Sequence, residues 1–206
     1  MVFGTVAPRF GAHAEYVCLP EHAAIAPMPA GLSYPEAAAL ADATAWRLLR
    51  DQAGLRPGQT ILVNGASGAV GAAAVQLAAQ HFGALVTGVC GGPHVRLVRK
   101  LGAASVIDYT RADFTRAGRR YDVIFDVAGT SSSFRCRRVL NRGGVYLTAA
   151  RSPAITGPDR LVITDLAKKS ELAAVGGGRY PLEQIADAYA RVDAGQVKGE
   201  IVVTMA

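Results

Sequence analysis

Residues 64–71 read NGASGAVG; they follow the apolar run ILV at 61–63 and precede the small residues AAAVQLAAQ at 72–80. This order predicts a buried strand, a glycine-rich turn and a helix. In a βαβ unit such a turn lies at the carboxyl edge of the sheet, where the free N–H groups and the positive dipole end of the helix favour a phosphate. The chain is therefore predicted to contain a dinucleotide-binding loop.

The individual residues of the loop have separate expected roles. Gly68 would let the backbone approach a pyrophosphate, Gly71 would let the helix lie close to the strand, and the Ser67 hydroxyl could donate a hydrogen bond. The usual G-x-G-x-x-G pattern is incomplete, because Ala66 occupies its first position. The strand before the loop and the helix after it therefore carry the prediction. The alternative is that the glycines serve only tight turns and packing.

The same alternation of strand and helix continues along the chain. Short connections separate the segments, which predicts an α/β fold with a doubly wound parallel sheet, Rossmann-like in form. The predicted strands are 60–64, 84–90, 104–109, 121–129 and 144–150, and the predicted helices between them are 68–82, 95–101 and 133–140.

The two ends of the chain lack this regular rhythm. Residues 33–54 predict a helix or a broken pair of helices. After residue 150 the pattern offers one strand, LVIT at 161–164, and a loop at GGG, 176–178. A helix over 180–195 and a strand over 199–205 then close the chain.

Charge and composition exclude several classes of function. The net charge of +6 comes from 22 basic and 16 acidic residues that are scattered along the chain, which does not favour nucleic acid. No apolar segment is long enough for a membrane span, and the amino terminus does not resemble a signal peptide, so a cytoplasmic protein is expected. The three cysteines and four histidines are dispersed, and no metal site is predicted.

The choice of dinucleotide depends on a missing carboxylate. An NAD site usually places an acidic residue about twenty residues after the glycine loop, to bind the ribose hydroxyls. Here no acidic residue occurs between Asp51 and Asp108, while Arg96, Arg99 and Lys100 follow the second strand. NADP(H) is therefore the predicted cofactor, because cations would favour a 2′-phosphate. The alternative for these three cations is a solvated helix face.

Six segments in order resemble the medium-chain dehydrogenase/reductase family, and in particular its zinc-free quinone oxidoreductase-like branch. They span most of the chain: GAHAEYVCLPE (11–21), ALADATAWRLL (39–49), GQTILVNGASGAVGAAAVQLA (58–78), LGAASVIDYTRADF (101–114), YDVIFDVAG (121–129) and YPLEQIADAYARVDAGQVKGEIVV (180–203). The resemblance implies hydride transfer from NADPH to a quinone, an enone or a similar small carbonyl compound without a metal. It also implies that the chain lacks most of the family's N-terminal GroES-like domain.

The resemblance also implies positions for the cofactor. Its pyrophosphate would lie at Ser67, Gly68, Ala69 and Val70, and its adenosine ribose and 2′-phosphate at Gly91, His94 and Tyr109. Its nicotinamide would lie near Thr44, Val127, Ala128 and Thr148. No residue of this sequence is identified as the catalytic proton donor.

The domain organisation implied by the resemblance has three parts. Residues 1–33 would be a remnant of the GroES-like substrate domain, 34–168 the Rossmann domain, shortened after 150, and 169–206 a helix and strand that return to the substrate domain. A homodimer would form through the edge of the sheet, at GVYLTAA (144–150) or a neighbouring strand. A second hypothesis is a non-catalytic remnant that serves dinucleotide binding or dimerisation. A third, a zinc-dependent alcohol dehydrogenase, would need metal ligands from the absent region.

Overall fold

The computed structural model describes residues 1–4, 13–20, 23, 25–40, 43–149, 157–169, 171–195 and 197–205. It divides the chain into two compact units. One comprises Met1–Ala43 with Ala154–Ala206, and the other is Thr44–Pro153. The boundaries proposed from the sequence, at residues 34 and 168, stay a prediction.

The elements follow one another along the chain in this order. The strands are β1 (Val2–Gly4), β2 (Ile25–Pro27), β3 (Thr60–Asn64), β4 (Leu85–Cys90), β5 (Ser105–Asp108), β6 (Tyr121–Asp126), β7 (Leu140–Thr148), β8 (Gly176–Pro181) and β9 (Glu200–Thr204). The α-helices are α1 (Tyr34–Ala39), α2 (Thr44–Arg47), α3 (Ala69–Gln76), α4 (Val95–Lys100), α5 (Ser133–Arg138), α6 (Gly157–Lys168) and α7 (Ile185–Asp193).

A five-stranded parallel sheet forms the second unit, with strand order β5-β4-β3-β6-β7. Its central strand β3 has Ile61, Leu62 and Val63 completely buried, as expected of a strand covered on both faces. The parallel α/β sheet predicted from the sequence is therefore confirmed, and β7 lies at its edge among the described strands. Ala150, the last residue of the predicted fifth strand, lies outside the described residues.

The strand order creates a switch point between β3 and β6. From β3 the chain adds β4 and then β5 on one side, and then adds β6 and β7 on the other. The loops that leave β3 and β6 at their carboxyl ends consequently diverge and leave a crevice between them. In open α/β sheets this crevice is where ligands bind.

Two helices of this unit continue into a wider turn. Residues Leu48–Gln52 extend α2 as a π-helix, and residues Leu77–His81 extend α3 in the same way. The sequence predicted either one helix or a broken pair over residues 33–54, and the structure has α1 and α2 as separate helices. α2 packs against α3.

The predicted strand LVIT is wrong, because residues 161–164 lie inside α6. Ile163 and Leu166, three positions apart, are almost completely buried, which is the spacing of one helix face. α6 packs against β2. Four β-branched or apolar residues favoured a strand locally, but the tertiary packing favours the helix.

The predicted loop at GGG is also wrong, because residues 176–178 begin β8, which pairs in parallel with β9. A side chain at Gly177 would collide with the Lys198 carbonyl oxygen, so glycine permits the close approach of the two backbones. The register shifts between Gly176 and Gly178. No helix in the described part of the chain is long and apolar enough to cross a membrane.

Candidate functional site

The glycine loop after β3 turns sharply at the carboxyl edge of the sheet. Gly65 has φ of 85°, a conformation that L-residues rarely adopt. The N–H groups of Gly65 and Ala66 donate to the Val89 carbonyl of β4, at 3.1 and 2.9 Å. The Gly68 N–H then donates to the Gly65 carbonyl at 3.1 Å, which closes the turn before α3.

Two of the three glycines are required by contacts within the protein. A Cβ on Gly65 would lie 3.1 Å from both the Cβ and the backbone nitrogen of Ala128. A Cβ on Gly71 would collide with the Gly65 carbonyl oxygen. These positions hold the loop against α3 on one side and against the loop after β6 on the other.

Gly68 is different. Its φ of −76° suits any residue, and the nearest atom to a Cβ there would be the Gly65 oxygen at an ordinary 3.6 Å. Among the described residues, no contact therefore requires glycine at 68. A bare backbone at this position fits the close approach of a bound group instead.

The first turn of α3 directly follows this glycine. The Ala72 N–H donates to the Gly68 carbonyl at 2.7 Å, so the N–H groups of Ala69 and Val70 precede the helical bonding pattern. The first turn contains no acidic residue. Ser67, Gly68, Ala69 and Val70 therefore lie together at a helix amino terminus, the setting that attracts a phosphate.

A buried pair of polar side chains joins the two strands at the switch point. Asn64 and Asp126 are the last residues of β3 and β6 and lie in register with each other. The Asn64 Nδ2 donates to Asp126 Oδ1 at 2.8 Å and to the Thr130 hydroxyl at 3.3 Å. Asp126 is completely buried. Sequence reasoning missed this pair, although a polar residue ending each of two apolar strands was a visible signal.

Asp126 also binds the loop that follows it. The Gly129 N–H donates to its Oδ1 at 3.0 Å, and the Ser131 N–H donates to its Oδ2 at 3.3 Å. The Tyr146 hydroxyl of β7 donates to the same Oδ2 at 3.1 Å. Burial raises the pKa of Tyr146 to about 12, and the adjacent Asp126 charge contributes in the same direction.

Val127 and Ala128 lie at the start of this loop, beside the glycine loop. Both of their N–H groups donate to the Asn64 carbonyl, at 3.0 and 3.2 Å. Thr148, which ends β7, is in register with Asp126. Thr44 begins α2 and is buried. The structure thus brings Val127 and Ala128 to the crevice and places Thr148 at the same edge of the sheet.

Gly91, His94 and Tyr109 form a second group, at the carboxyl ends of β4 and β5. The His94 N–H donates to the Gly91 carbonyl at 2.9 Å, and a Cβ on Gly91 would lie 3.5 Å from the Tyr109 hydroxyl. The Tyr109 N–H donates to the Cys90 carbonyl at 3.2 Å. The three residues predicted to surround an adenosine ribose are therefore neighbours.

Asp108 brings a carboxylate to this group, which the sequence analysis did not foresee. It is in register with Cys90, and its Oδ1 accepts bonds from the Thr110 hydroxyl at 2.7 Å and the Thr110 N–H at 3.0 Å. The other oxygen, Oδ2, lies close to Gly92, where an added Cβ would come within 2.9 Å of it. The bonds from Thr110 are the main cause that holds the pKa of Asp108 below its usual value. β5 therefore places a carboxylate beside the end of β4, where the sequence that directly follows β4 has none.

Within the described ranges, no three His, Cys, Asp or Glu side chains come together in a group that could hold a metal ion. Cys90 and Cys136 are buried, and burial raises the pKa of each thiol to about 11. The carboxylates of Asp108 and Asp126, respectively, add to these shifts.

Comparisons with known proteins agree with this geometry. Residues 69–191 match a family described as zinc-binding dehydrogenase. The chain belongs to the medium-chain dehydrogenase/reductase family, in its quinone oxidoreductase-like branch. The resemblance noted in the sequence is confirmed.

Among curated proteins, the chain is 33% identical to 2-methylene-furan-3-one reductase of Solanum lycopersicum over 95% of its length, and 32% identical to the NADPH-dependent alkenal/one oxidoreductase, chloroplastic, of Arabidopsis thaliana, also over 95%. It is 37% identical to a quinone oxidoreductase-like protein 2 homolog of Nematostella vectensis over 66%. The chain spans 53%, 53% and 40% of these relatives, about half their length.

Among solved structures, the chain is similar to an NAD-dependent alcohol dehydrogenase, with a TM-score of 0.82 and 28% identity. The match covers 96% of this chain and 66% of the other. The fold is therefore the dinucleotide-binding fold of this family of oxidoreductases.

Proposed function

We propose that the chain transfers a hydride from NADPH to a quinone, an enone or a similar small carbonyl compound, without a metal. The observation that carries the proposal is Gly68, at the start of α3 and at the switch point of the sheet, where the packing of the described residues does not require a glycine. The names of the relatives support the chemistry, since they include an NADPH-dependent alkenal/one oxidoreductase and a 2-methylene-furan-3-one reductase. The chain is thus proposed to work as an oxidoreductase of this class.

The proposed cofactor site follows the carboxyl edge of the sheet. The pyrophosphate would contact Ser67, Gly68, Ala69 and Val70, where helix N–H groups and the absence of acidic side chains favour a phosphate. The adenosine would lie over the group formed by Gly91, His94 and Tyr109. The nicotinamide would lie beside Val127, Ala128, Thr148 and Thr44.

The preference for NADPH over NADH is part of the proposal. His94, Arg96, Arg99 and Lys100 lie in or just before α4, after the strand that ends at the adenosine position. The negative charge of Asp108 works against a 2′-phosphate, but its Oδ1 already accepts two bonds from Thr110. With one of its two oxygens in use, Asp108 is less available to bind ribose hydroxyls, and the nearby cations favour a 2′-phosphate.

When bound, the nicotinamide supplies the hydride, and the chain's own residues bind and orient it. Catalysis of this kind depends on holding the acceptor carbon against the cofactor. The loop 127–131 and the glycine loop border the crevice in which that alignment would take place. No described side chain is assigned the proton transfer.

Calorimetric titration of the purified chain with NADPH and with NADH tests the proposal. We expect NADPH to bind and NADH to bind more weakly, and we expect NADPH to be oxidised when a naphthoquinone or an enone is added. Tighter binding of NADH would contradict the NADPH preference. Binding of neither dinucleotide would overturn the proposal as a whole.

A second candidate is a non-catalytic protein that binds a dinucleotide or forms a dimer. It fits a site in which no described side chain is assigned the proton transfer. NADPH binding without oxidation, over a broad screen of quinones, enones and aldehydes, would select this candidate over the enzyme.

A homodimer through β7 and a cytoplasmic location complete the proposal. β7 is nine residues long and lies at the edge of the described sheet, and an uncovered edge of this length favours pairing with another strand. Sedimentation equilibrium should give twice the mass of the chain.

The cytoplasmic location is a separate part of the proposal. One of the relatives that match this chain is named chloroplastic, so the location needs a test of its own. Imaging of the tagged protein in its source cells tests the location.

A further inference from the structure

We infer that Asn64 and Asp126 are positioning residues of the cofactor site. Together they hold the loop 127–131 at a fixed distance from the glycine loop, in the place that receives the nicotinamide half of the dinucleotide. This inference rests on the proposed function, and it assigns a role to two residues that would not themselves react.

The first argument is the number of bonds that converge on Asp126. Removing a carboxylate from water costs several kcal/mol unless hydrogen bonds replace the water. Four donors do so here, from Asn64, Gly129, Ser131 and Tyr146, at 2.8–3.3 Å. Two of the four are backbone N–H groups of the loop, so the loop conformation depends on this carboxylate.

The second argument is that Asn64 binds the same loop by another route. Its carbonyl accepts the N–H groups of Val127 and Ala128, while its side-chain amide binds Asp126. Asn64 also ends the strand from which the glycine loop begins. One residue therefore connects the two loops that border the crevice.

The third argument is the close contact between those loops. A single added Cβ on Gly65 would come within 3.1 Å of Ala128. A small displacement of Ala128 would therefore change the width of the crevice. The Ala128 N–H donates to the main-chain carbonyl of Asn64, and the N–H of the next residue, Gly129, donates to Asp126, so these bonds hold Ala128 in place and maintain that width.

An aspartate that only joined neighbouring strands would not need bonds to the loop that follows, and Asp122 is such an aspartate. Asp122 lies at the opposite end of β6 and accepts bonds from the Thr60 N–H and hydroxyl at 2.8 and 2.9 Å, and from Asn141 Nδ2 at 2.7 Å. Asp122 links β6 to β3 and β7, just as Asp126 does. Only Asp126 also binds a loop at the carboxyl edge, so Asp122 is the matched control.

The test compares D126N and D122N. Unfolding midpoints are measured for both, together with dissociation constants for NADPH and for 2′,5′-ADP, which lacks the nicotinamide half. Both variants should lower the unfolding midpoint. D126N should weaken NADPH binding about tenfold, the effect of losing one charge-assisted hydrogen bond, and should leave 2′,5′-ADP binding within about twofold. D122N should leave both affinities unchanged.

Two results would overturn the inference. One is an equal loss of NADPH affinity in D126N and D122N, which would mean that only sheet stability matters. The other is an equal loss of NADPH and 2′,5′-ADP affinity in D126N. If the wild-type chain binds 2′,5′-ADP but not NADPH or NADH, or binds none of them, the proposed function fails and the positioning role fails with it.

Hydrogen exchange of the wild-type chain tests the loop without any variant or ligand, and so remains decisive if D126N does not fold. Gly129 is exposed, yet its N–H donates to a completely buried carboxylate. Its amide should exchange at least about tenfold more slowly than an unprotected amide in the same sequence. Exchange of Gly129 and Ser131 at the unprotected rate would show that Asp126 does not hold the loop.

Discussion

Each end of β6 carries an aspartate, but the two aspartates bind different parts of the protein. At the amino edge Asp122 binds Thr60 and Asn141, which belong to the neighbouring strands. At the carboxyl edge Asp126 binds the neighbouring strands through Asn64 and Tyr146, and it also binds the loop that follows. At the amino edge the bonds join strands only. At the carboxyl edge two further bonds to Asp126 also fix the conformation of a loop, as expected of the edge where parallel sheets bind ligands.

The largest expected effect comes from replacing Gly71 with alanine. The new Cβ would collide with the Gly65 carbonyl oxygen, whereas at Gly68 a Cβ would find an ordinary contact. G71A should lower the free energy of unfolding by about 3 kcal/mol, as overpacking does. G68A should leave it nearly unchanged and weaken NADPH binding instead. Urea unfolding and calorimetric titration of both variants check this, and equal stabilities would contradict it.

A smaller difference in unfolding free energy is expected between alanine variants of Gly65, at the carboxyl edge of the sheet, and Gly58, at the amino edge. Gly65 and Gly58 have φ of 85° and 80°, but a Cβ on Gly58 would meet nothing within 4 Å. G58A should cost about 1 kcal/mol of unfolding free energy, the cost of positive φ alone. G65A should cost about 1–2 kcal/mol more, because it also meets Ala128. If the two variants unfold at the same urea concentration, the two loops are less closely packed than the structure shows.

Raising the pH above 10 should lower the stability of the folded chain through Tyr146, which lies at the carboxyl edge of the sheet. Its pKa is about 12 when folded, against 10.0 for an ordinary tyrosine. The folded state holds this proton more tightly, so the stabilisation is complete below pH 10 and is lost as pH rises from 10 to 12. Y146F should remove that part of the pH dependence, which thermal unfolding at a series of pH values would measure. Wild type and Y146F with the same slope above pH 10 would contradict it.

The mildest test concerns the thiols. Cys18 is exposed, whereas Cys90 and Cys136 are buried with pKa values of about 11. At pH 8 only about a thousandth of each buried thiol would be ionised, and thiolate is the reactive form. Iodoacetamide should therefore label Cys18 first, as peptide mass spectrometry would show. Early labelling of Cys90 would indicate that the end of β4 opens readily.

Much of the fold could be predicted because it depends on local patterns. The apolar runs, the glycine loop and the helix-forming stretches between them each fit within a few residues, and together they predict a parallel α/β sheet. The errors occurred where local pattern and tertiary packing disagree. LVIT has the composition of a strand, but Ile163 and Leu166 are buried on one face of α6. GGG suggests a loop, but Gly177 permits a close approach of two strands.

The candidate site likewise has one part that could be predicted from the sequence and another that could not. Ser67 and Gly68 were predicted because they follow a predicted strand, where a parallel sheet places its ligand-binding loops. Gly91, Tyr109 and Val127 were implied only by the family resemblance, and their roles stay a prediction. The two carboxylates were not found. Asp108 lies beside Gly92 only because β5 pairs with β4, and Asp126 meets Asn64 only because β6 pairs with β3.

The sequence by itself determined the order of strands and helices within the five-stranded parallel sheet and the position of the glycine loop, because hydrophobic periodicity and glycine conformation act over a few residues. Only the tertiary structure decided that β3 and β6 are neighbours, and hence that Asn64 and Asp126, 62 residues apart, share a hydrogen bond at the base of the crevice. Strand order depends on contacts between distant segments. No local pattern along the chain specifies which two strand ends will meet.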